Sequence, residues 1–419
     1  MKVLVVGSGG REHALCLALS RDPTVGALAC APGNAGTAEL AETFALDVND
    51  PVAVAALAER VRADLTVIGP EAPLVAGAAD ELRRRRLPVF GPSAAAAQIE
   101  GSKAFAKSVM NAAGVPTADG RDHTVVEAAL ADLDEFGPPY VVKVDGLAAG
   151  KGVTVTSDRD AAVAAVRAAL PTEGSRVVIE GYLAGPEVSL FAVVDEAGQV
   201  EPLVPAQDFK RIGDGDTGPN TGGMGAYTPL PWAPPDLVDT VLSTVVGPTV
   251  TELGHRGTPY SGLLYVGLAL TATGPKVIEF NARFGDPETQ SVLARLRSPL
   301  TRLLAAQPAE WSDEAAVTVV VAAAGYPAQP RLGDEIGGLA QAAAVPGVTV
   351  LHAGTKRDAA GRVVSSGGRV LGITATGTDL AAARAAAYEA VDQIRLPGAQ
   401  FRTDIAAWAA TPGAASSSP

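Results

Sequence analysis

Val277-Ile278-Glu279-Phe280-Asn281-Ala282-Arg283-Phe284-Gly285-Asp286-Pro287-Glu288 is the stretch from which the rest of this sequence can be read. Apolar and polar residues alternate with the period of a strand, so Glu279, Asn281 and Arg283 share one face while Ile278, Phe280 and Ala282 pack behind it. A carboxylate and an amide oxygen side by side are hard ligands suited to magnesium, which completes its octahedron with water and substrate phosphates. Arg283, next on that face, can meet an anion that develops during group transfer. The alternative is a solvated polar strand face, which the apolar partners and the glycine–proline turn after Arg283 argue against.

Upstream, Asp145-Gly146-Leu147-Ala148-Ala149-Gly150-Lys151-Gly152 separates two short strands, at 140–144 and 153–156. No hydroxyl follows Lys151, and a strand rather than a helix comes next, so this is not a Walker loop. A glycine loop between paired strands can instead fold over polyphosphate, with open backbone donors and Lys151 as a mobile cation. Lys143 lies in an otherwise apolar strand; it is either buried against a phosphate or turned to solvent from an open face. A helix at 161–170 and a strand at 176–180 complete a compact α+β unit, about 120–188, that could close as a lid. Glu187, beginning the next strand, either holds ribose hydroxyls or is an ordinary exposed carboxylate. Residues 207–227, with QDFKR and GDGDTGPNTGGMG, form a long glycine-rich loop, functional or else a flexible linker.

Toward the N-terminus, strands at 2–6, 25–30, 65–68 and 89–90 alternate with alanine-rich helical stretches, the pattern of a parallel sheet. They end in turns at Gly7, Pro32-Gly33, Gly69-Pro70 and Gly91-Pro92, and all four are expected at the carboxyl edge, where open α/β sheets bind ligands. Gly7-Ser8-Gly9-Gly10-Arg11-Glu12-His13 opens a helix, so its N–H groups and dipole offer an anion site with Arg11 as charge partner, unless the glycines only permit a tight turn. Glu12 replaces the third glycine of a dinucleotide fingerprint, so a phosphate-bearing small molecule fits better than NAD. The glycine–proline break at 114–116 separates helix 103–113 from the α+β unit. The expected division is 1–101, 102–325 and 326–410, the last with strands at 348–352 and 369–374 and a helix at 380–394, before a disordered tail at 411–419.

With 419 residues, 47% of them hydrophobic, the chain can bury several cores. Its 33 basic against 46 acidic residues give a net charge of -13, the wrong sign for a nucleic-acid or anionic-membrane binder. Two cysteines and four histidines argue against a disulfide framework or a structural zinc and for a reducing cytoplasm. The apolar opening at 3–6 is too short for a signal-peptide core, and no apolar run is long enough to span a bilayer.

Together, GSGGREHAL, APGNAGT, IGPEAPLVAG, GPSAAAAQIEGSK, VVKVDGLAAGKGV, QDFKRIGDGDTGPNTGGMGAY and VIEFNARFGDPETQ, with HAGTK and SSGGRVL, resemble the ATP-grasp superfamily nearly end to end. Within it they are similar to the ligases that join glycine to 5-phosphoribosylamine. The resemblance implies a multidomain fold: an N-terminal parallel-sheet α/β domain, a central ATP-grasp domain with a mobile lid, and a small C-terminal α+β domain. It also implies a cytoplasmic monomer with small-molecule substrates, using ATP with magnesium or manganese. Lys103, Lys143, Gly146, Gly150, Lys151, Gly152, Glu180, Leu183 and Glu187 would bind ATP, and Glu279 and Asn281 would hold the metal. Gly9, Gly10, Arg11, Asn34, Glu71, Asp208, Lys210, Asn220, Gly222, Gly223, Arg283 and Asp286 would line the substrate pocket. Arg283, Lys143 and Asp208 would serve catalysis. Phe209 departs from the histidine expected in the QDxKR string, with Asp208 and Lys210 intact. Two rivals are a carboxylating ATP-grasp ligase, which the first-domain strings oppose, and a non-catalytic nucleotide sensor, which would need no metal pair.

Overall fold

The computed structural model describes residues 1–147, 152–172 and 174–411. Gly150, Lys151 and the tail from 412 onward therefore lie outside the described residues.

The N-terminal unit is the expected parallel sheet, in the spatial order Glu42–Thr43, Ala27–Pro32, Lys2–Gly7, Leu65–Ile68, Val89–Phe90. Val3 to Val6 are fully buried, which explains why the first strand reads as an unbroken apolar run rather than an alternation. The chain runs from Lys2–Gly7 to one side and then returns to Leu65–Ile68 on the other. That reversal opens a crevice at the carboxyl ends of the central strands. Glu42–Thr43 is too short and too exposed to be visible as a strand in the sequence.

The central unit rests on an antiparallel sheet of Val200–Pro202, Glu187–Val194, Gly262–Thr271 and Gly274–Asn281. Gly267 pairs with Glu279 while Leu268 pairs with Val277, so Ile278 is a bulged extra residue. This corrects the expected inner face. Val277, Phe280 and Ala282 are buried, and Ile278 is only half-buried, because the bulge shifts the alternation by one residue.

Strands Gly120–His123, Val177–Glu180, Tyr140–Val144 and Val153–Thr156 and helices Val126–Phe136 and Arg159–Ala169 make up the α+β unit expected as a lid. It has a core of its own, including Leu133, Val142, Val166 and Ile179. Tyr140–Val144 and Val153–Thr156 pair antiparallel with Lys143 opposite Val153, so the glycine loop does join two paired strands.

Residues 207–227 are not an irregular loop. Arg211–Gly213 and Thr217–Asn220 form a ribbon, flanked by strands Gln207–Asp208 and Gly225–Thr228. Those flanking strands join Ala315–Ala322, Arg369–Gly377 and Val348–His352 in one five-stranded sheet. The C-terminal sheet thus borrows two strands from mid-chain. The ribbon is pinned by Arg402, 1% exposed, which pairs with Asp216 and Asp404 and lies 4.7 Å over the Phe209 ring. Among the described residues no helix is long and apolar enough to cross a membrane.

Candidate active site

Helix Lys103–Ala113 begins at Ser102, whose hydroxyl accepts from the Phe105 amide. Asp145, at the start of the glycine loop, accepts from the Lys103 amide at 2.6 Å, and Lys103 Nζ returns a bond to the Gly146 carbonyl at 2.9 Å. Helix start and glycine loop are thereby fastened together. One turn along, Lys107 reaches Glu180 Oε1 at 2.8 Å, while Lys143 reaches Glu180 Oε2 at 2.6 Å. All three side chains are buried. Lys143 is therefore not a solvent-facing strand lysine; its present partners are Glu180 and the Ile278 carbonyl, at 2.8 Å. That carbonyl belongs to the bulged residue, so the bulge supplies the acceptor. Leu183 lies half-buried in the segment after Glu180.

At the start of strand Glu187–Val194, Glu187 pairs with Lys210 at 2.6 Å. Burial and the neighbouring carboxylates Glu288, Glu187 and Glu279 push the Asp208 carboxyl up to about 8, against the opposing pull of Lys210. For Glu279, burial works against ionisation, but Lys210, Lys143, Lys103 and Arg283 outweigh it and hold the carboxyl below its ordinary value. An ionised oxygen ligand beside the Asn281 amide oxygen fits magnesium. Among the described residues no cluster of three or more acidic, histidine or cysteine side chains could hold a metal unaided.

Arg283 is spread over several acceptors: Glu71 at 3.2 Å, Glu100 at 3.1 Å, the Asn281 amide oxygen at 3.2 Å and the Phe284 carbonyl at 3.1 Å. It joins the N-terminal unit, through Glu71 and Glu100, to the strand that carries Glu279. Glu100 also accepts from the Ala282 amide at 2.7 Å. Its part in the site was not legible in the sequence, where it reads as one more helix carboxylate.

A cavity of about 380 Å³ opens at the crevice of the N-terminal sheet, bordered by Gly7, Gly9, Pro32, Asp47, Pro70 and Asp286. Three of the four expected turns border it. The fourth, Gly91-Pro92, is instead packed against Gly262. In the glycine turn Glu12 accepts from the Gly9 amide at 2.6 Å and from Arg11 Nε at 2.5 Å. Arg11 is buried and also donates to the Phe284 carbonyl at 3.0 Å. The turn's charges are neutralised within the fold, because Glu12 occupies the place of a missing glycine. Asn34 is likewise engaged, donating to the Ser8 and His352 carbonyls and accepting from the Gly36 and Thr37 amides. Gly10 packs on Gln290, and Arg369 links Asp286 to the Gly222 and Gly223 carbonyls. Asn220 donates to the Val153 carbonyl, joining the ribbon to the lid at the glycine loop.

Three models of one family tile the chain: the phosphoribosylglycinamide synthetase N domain over residues 1–100, its ATP-grasp (A) domain over 101–289 and its C domain over 316–408. The chain belongs to the phosphoribosylglycinamide synthetase family. A phosphoribosylamine–glycine ligase of Streptomyces coelicolor is 61% identical, with 98% of this chain and 100% of the relative covered. One of Mycobacterium leprae is 57% identical, with 97% of each covered. The crystal structure of the Thermotoga maritima phosphoribosylamine–glycine ligase superposes with a TM-score of 0.82 at 32% identity, covering 97% of this chain and 100% of that one. Within this synthetase family the chain is a multidomain α/β ATP-grasp enzyme.

Proposed function

We propose that the cleft between the lid and the Gly274–Asn281 strand makes glycinamide ribonucleotide by way of a glycyl phosphate. Ligation of glycine to phosphoribosylamine, a step of purine biosynthesis, is the family's reaction; the roles given to single residues are our reading of how this chain performs it. A carboxylate is a poor acyl donor because oxide is a poor leaving group. Moving the γ-phosphoryl group of ATP onto glycine gives an acyl phosphate, which the amine of 5-phosphoribosylamine attacks at the carbonyl carbon with loss of phosphate. Positioning and electrostatic stabilisation then supply the catalysis.

In this reading Lys103, Lys143, the glycine loop from Gly146 through Gly150 and Lys151 to Gly152, Glu180, Leu183 and Glu187 bind ATP. Glu279 and Asn281 would hold magnesium, or manganese in its place, and the ion would supply positive charge to the phosphates. Arg283 stabilises the group in transfer, and Asp208 with Lys210 meets the two ends of glycine. Asn34, Glu71, Asp286, Asn220, Gly222, Gly223 and the turn Gly9-Gly10-Arg11 shape the pocket for phosphoribosylamine. The lid keeps water from the acyl phosphate. The enzyme works as a monomer in this reading, and the reducing environment suggested by the two cysteines suits the cytoplasm.

One observation carries the proposal: Lys143 of the lid donates to the carbonyl of Ile278, the residue next to Glu279. A phosphate-binding cation and a metal-binding carboxylate thus meet at one point of the cleft. The test is phosphate release with each substrate omitted in turn. Release should require glycine, and Glu279→Gln should lower turnover about a thousandfold while circular dichroism stays unchanged. Glycine-independent release would overturn the assignment and favour a carboxylating ligase, and no release with nucleotide bound would favour a sensor.

A further inference from the structure

Lys107 has no role in the proposed reaction, yet it is 6% exposed at the floor of the nucleotide cleft. Its ammonium is fully used, by Glu180 Oε1 at 2.8 Å, the Ala118 carbonyl at 2.8 Å and the Thr117 hydroxyl at 3.1 Å. An ammonium buried this deeply is costly unless paired, so three well-placed acceptors mark a built site. Helix Lys103–Ala113 presents Lys103 and Lys107 on the same side, four residues apart.

The charges of the cluster give this pair a consequence. Glu180 alone with Lys143 would be a closed, neutral, buried pair. For Lys143 to turn to a nucleotide phosphate it would then have to leave a carboxylate unpaired in the interior, a severe cost. With Lys107 on the other carboxylate oxygen, Glu180 keeps a partner when Lys143 leaves. The cluster of two ammonium groups and one carboxylate also carries one positive charge toward the cleft.

We infer that Lys107 is a positioning residue of the nucleotide site: it holds Glu180 so that Lys143 can exchange that carboxylate for phosphate. The inference rests on the assignment of Lys143 and Glu180 to the nucleotide.

The test compares the full-length wild type, Lys107→Met, Glu180→Gln and the double variant, measuring binding of magnesium ADP by calorimetry and melting temperature in parallel. Lys107→Met should weaken ADP about ten- to hundredfold, with the Michaelis constant for glycine little changed. In the double variant, Glu180→Gln has already removed the charge that Lys107 balances. It should bind ADP as Glu180→Gln alone does, so the two losses should not add. If Lys107→Met fails to fold, the double variant, which lacks both buried charges, carries the comparison with Glu180→Gln. Unchanged ADP affinity in Lys107→Met, or additive losses in the double variant, overturns the inference and leaves the nucleotide site standing. Failure of the wild type to bind ADP would overturn both.

Discussion

At the proposed nucleotide site Lys103, Lys107, Lys143 and Lys210 supply positive charge, whereas at the junction with the N-terminal sheet the cations include the arginines Arg11, Arg283 and Arg369. Lys143 and Lys210 each rest on one carboxylate. Arg283 spans two carboxylates, an amide oxygen and a carbonyl, and Arg369 spans Asp286 and the carbonyls of the ribbon. A lysine is a mobile point charge that can trade one anion for another, while the guanidinium is a rigid fork that fixes several groups at once. The two regions carry the same sign of charge for different work. In the proposed reaction Lys143 and Lys210 would exchange partners as substrate arrives, while the arginines also hold two parts of the fold in register.

The sharpest way to break that contrast is Arg283→Lys. Arg283 meets Glu71 through Nε, Glu100 and Asn281 through one terminal nitrogen and the Phe284 carbonyl through the other; one ammonium nitrogen cannot stand in for all three, so turnover should fall about a hundredfold, with the Michaelis constant for ATP moving by no more than about threefold. Equal loss of turnover and ATP affinity would show that Arg283 belongs with the exchanging lysines. The converse swap, Lys143→Arg, should weaken ATP binding about tenfold, because a fork held by Glu180 and the Ile278 carbonyl does not let go as readily. Calorimetry with ADP checks it, and wild-type affinity would remove the distinction.

Gly69→Ala probes the sealed turn on the arginine side. Its Cβ would lie 2.0 Å from Glu12 Oε1, and Glu12 is tied to Gly9 and Arg11, so it cannot move aside freely. A stability loss of about 1–3 kcal/mol is expected in urea unfolding. A neutral result would show that Glu12 is loosely held.

The smallest effect on stability is expected from Asp208→Asn. The folded carboxyl titrates at about 8, above its unfolded value of about 3.9, so the folded state holds the proton more tightly. This group's contribution is then greatest below the unfolded value and is lost progressively as pH rises from there through the folded value. Between pH ~6 and ~9 the wild-type melting temperature should fall by about 2–4 °C more than that of Asp208→Asn. Parallel profiles would show that Asp208 ionises normally.

Much of the fold was legible because it depends on local periodicity. The apolar runs at 2–6 and 65–68, the paired strands around the glycine loop and the helix 380–394 all appear near their expected places. Gly120–His123 was missed because it has no apolar side chain to mark a face, and it forms a strand only by pairing with Val177–Glu180. The ribbon within 207–227 was hidden by its glycines, which weaken any strand signal. Its place is set by Arg402, nearly two hundred residues away. Lys107 and Glu100 read as ordinary helix charges, since nothing local reveals that Glu180 and Arg283 lie opposite them.

By itself the sequence determined the order of strands and helices, the glycine turns and the types of group available for chemistry, because each depends on residues within a few positions of one another. Tertiary structure alone decided which charge neutralises which. It put Glu12 on the Gly9 amide, gave Glu180 two lysines, and set the bulge at Ile278 that turns a carbonyl toward Lys143. The reason is physical: a buried charge is stabilised by whatever lies within a few ångströms, and folding brings those neighbours from distant parts of the chain.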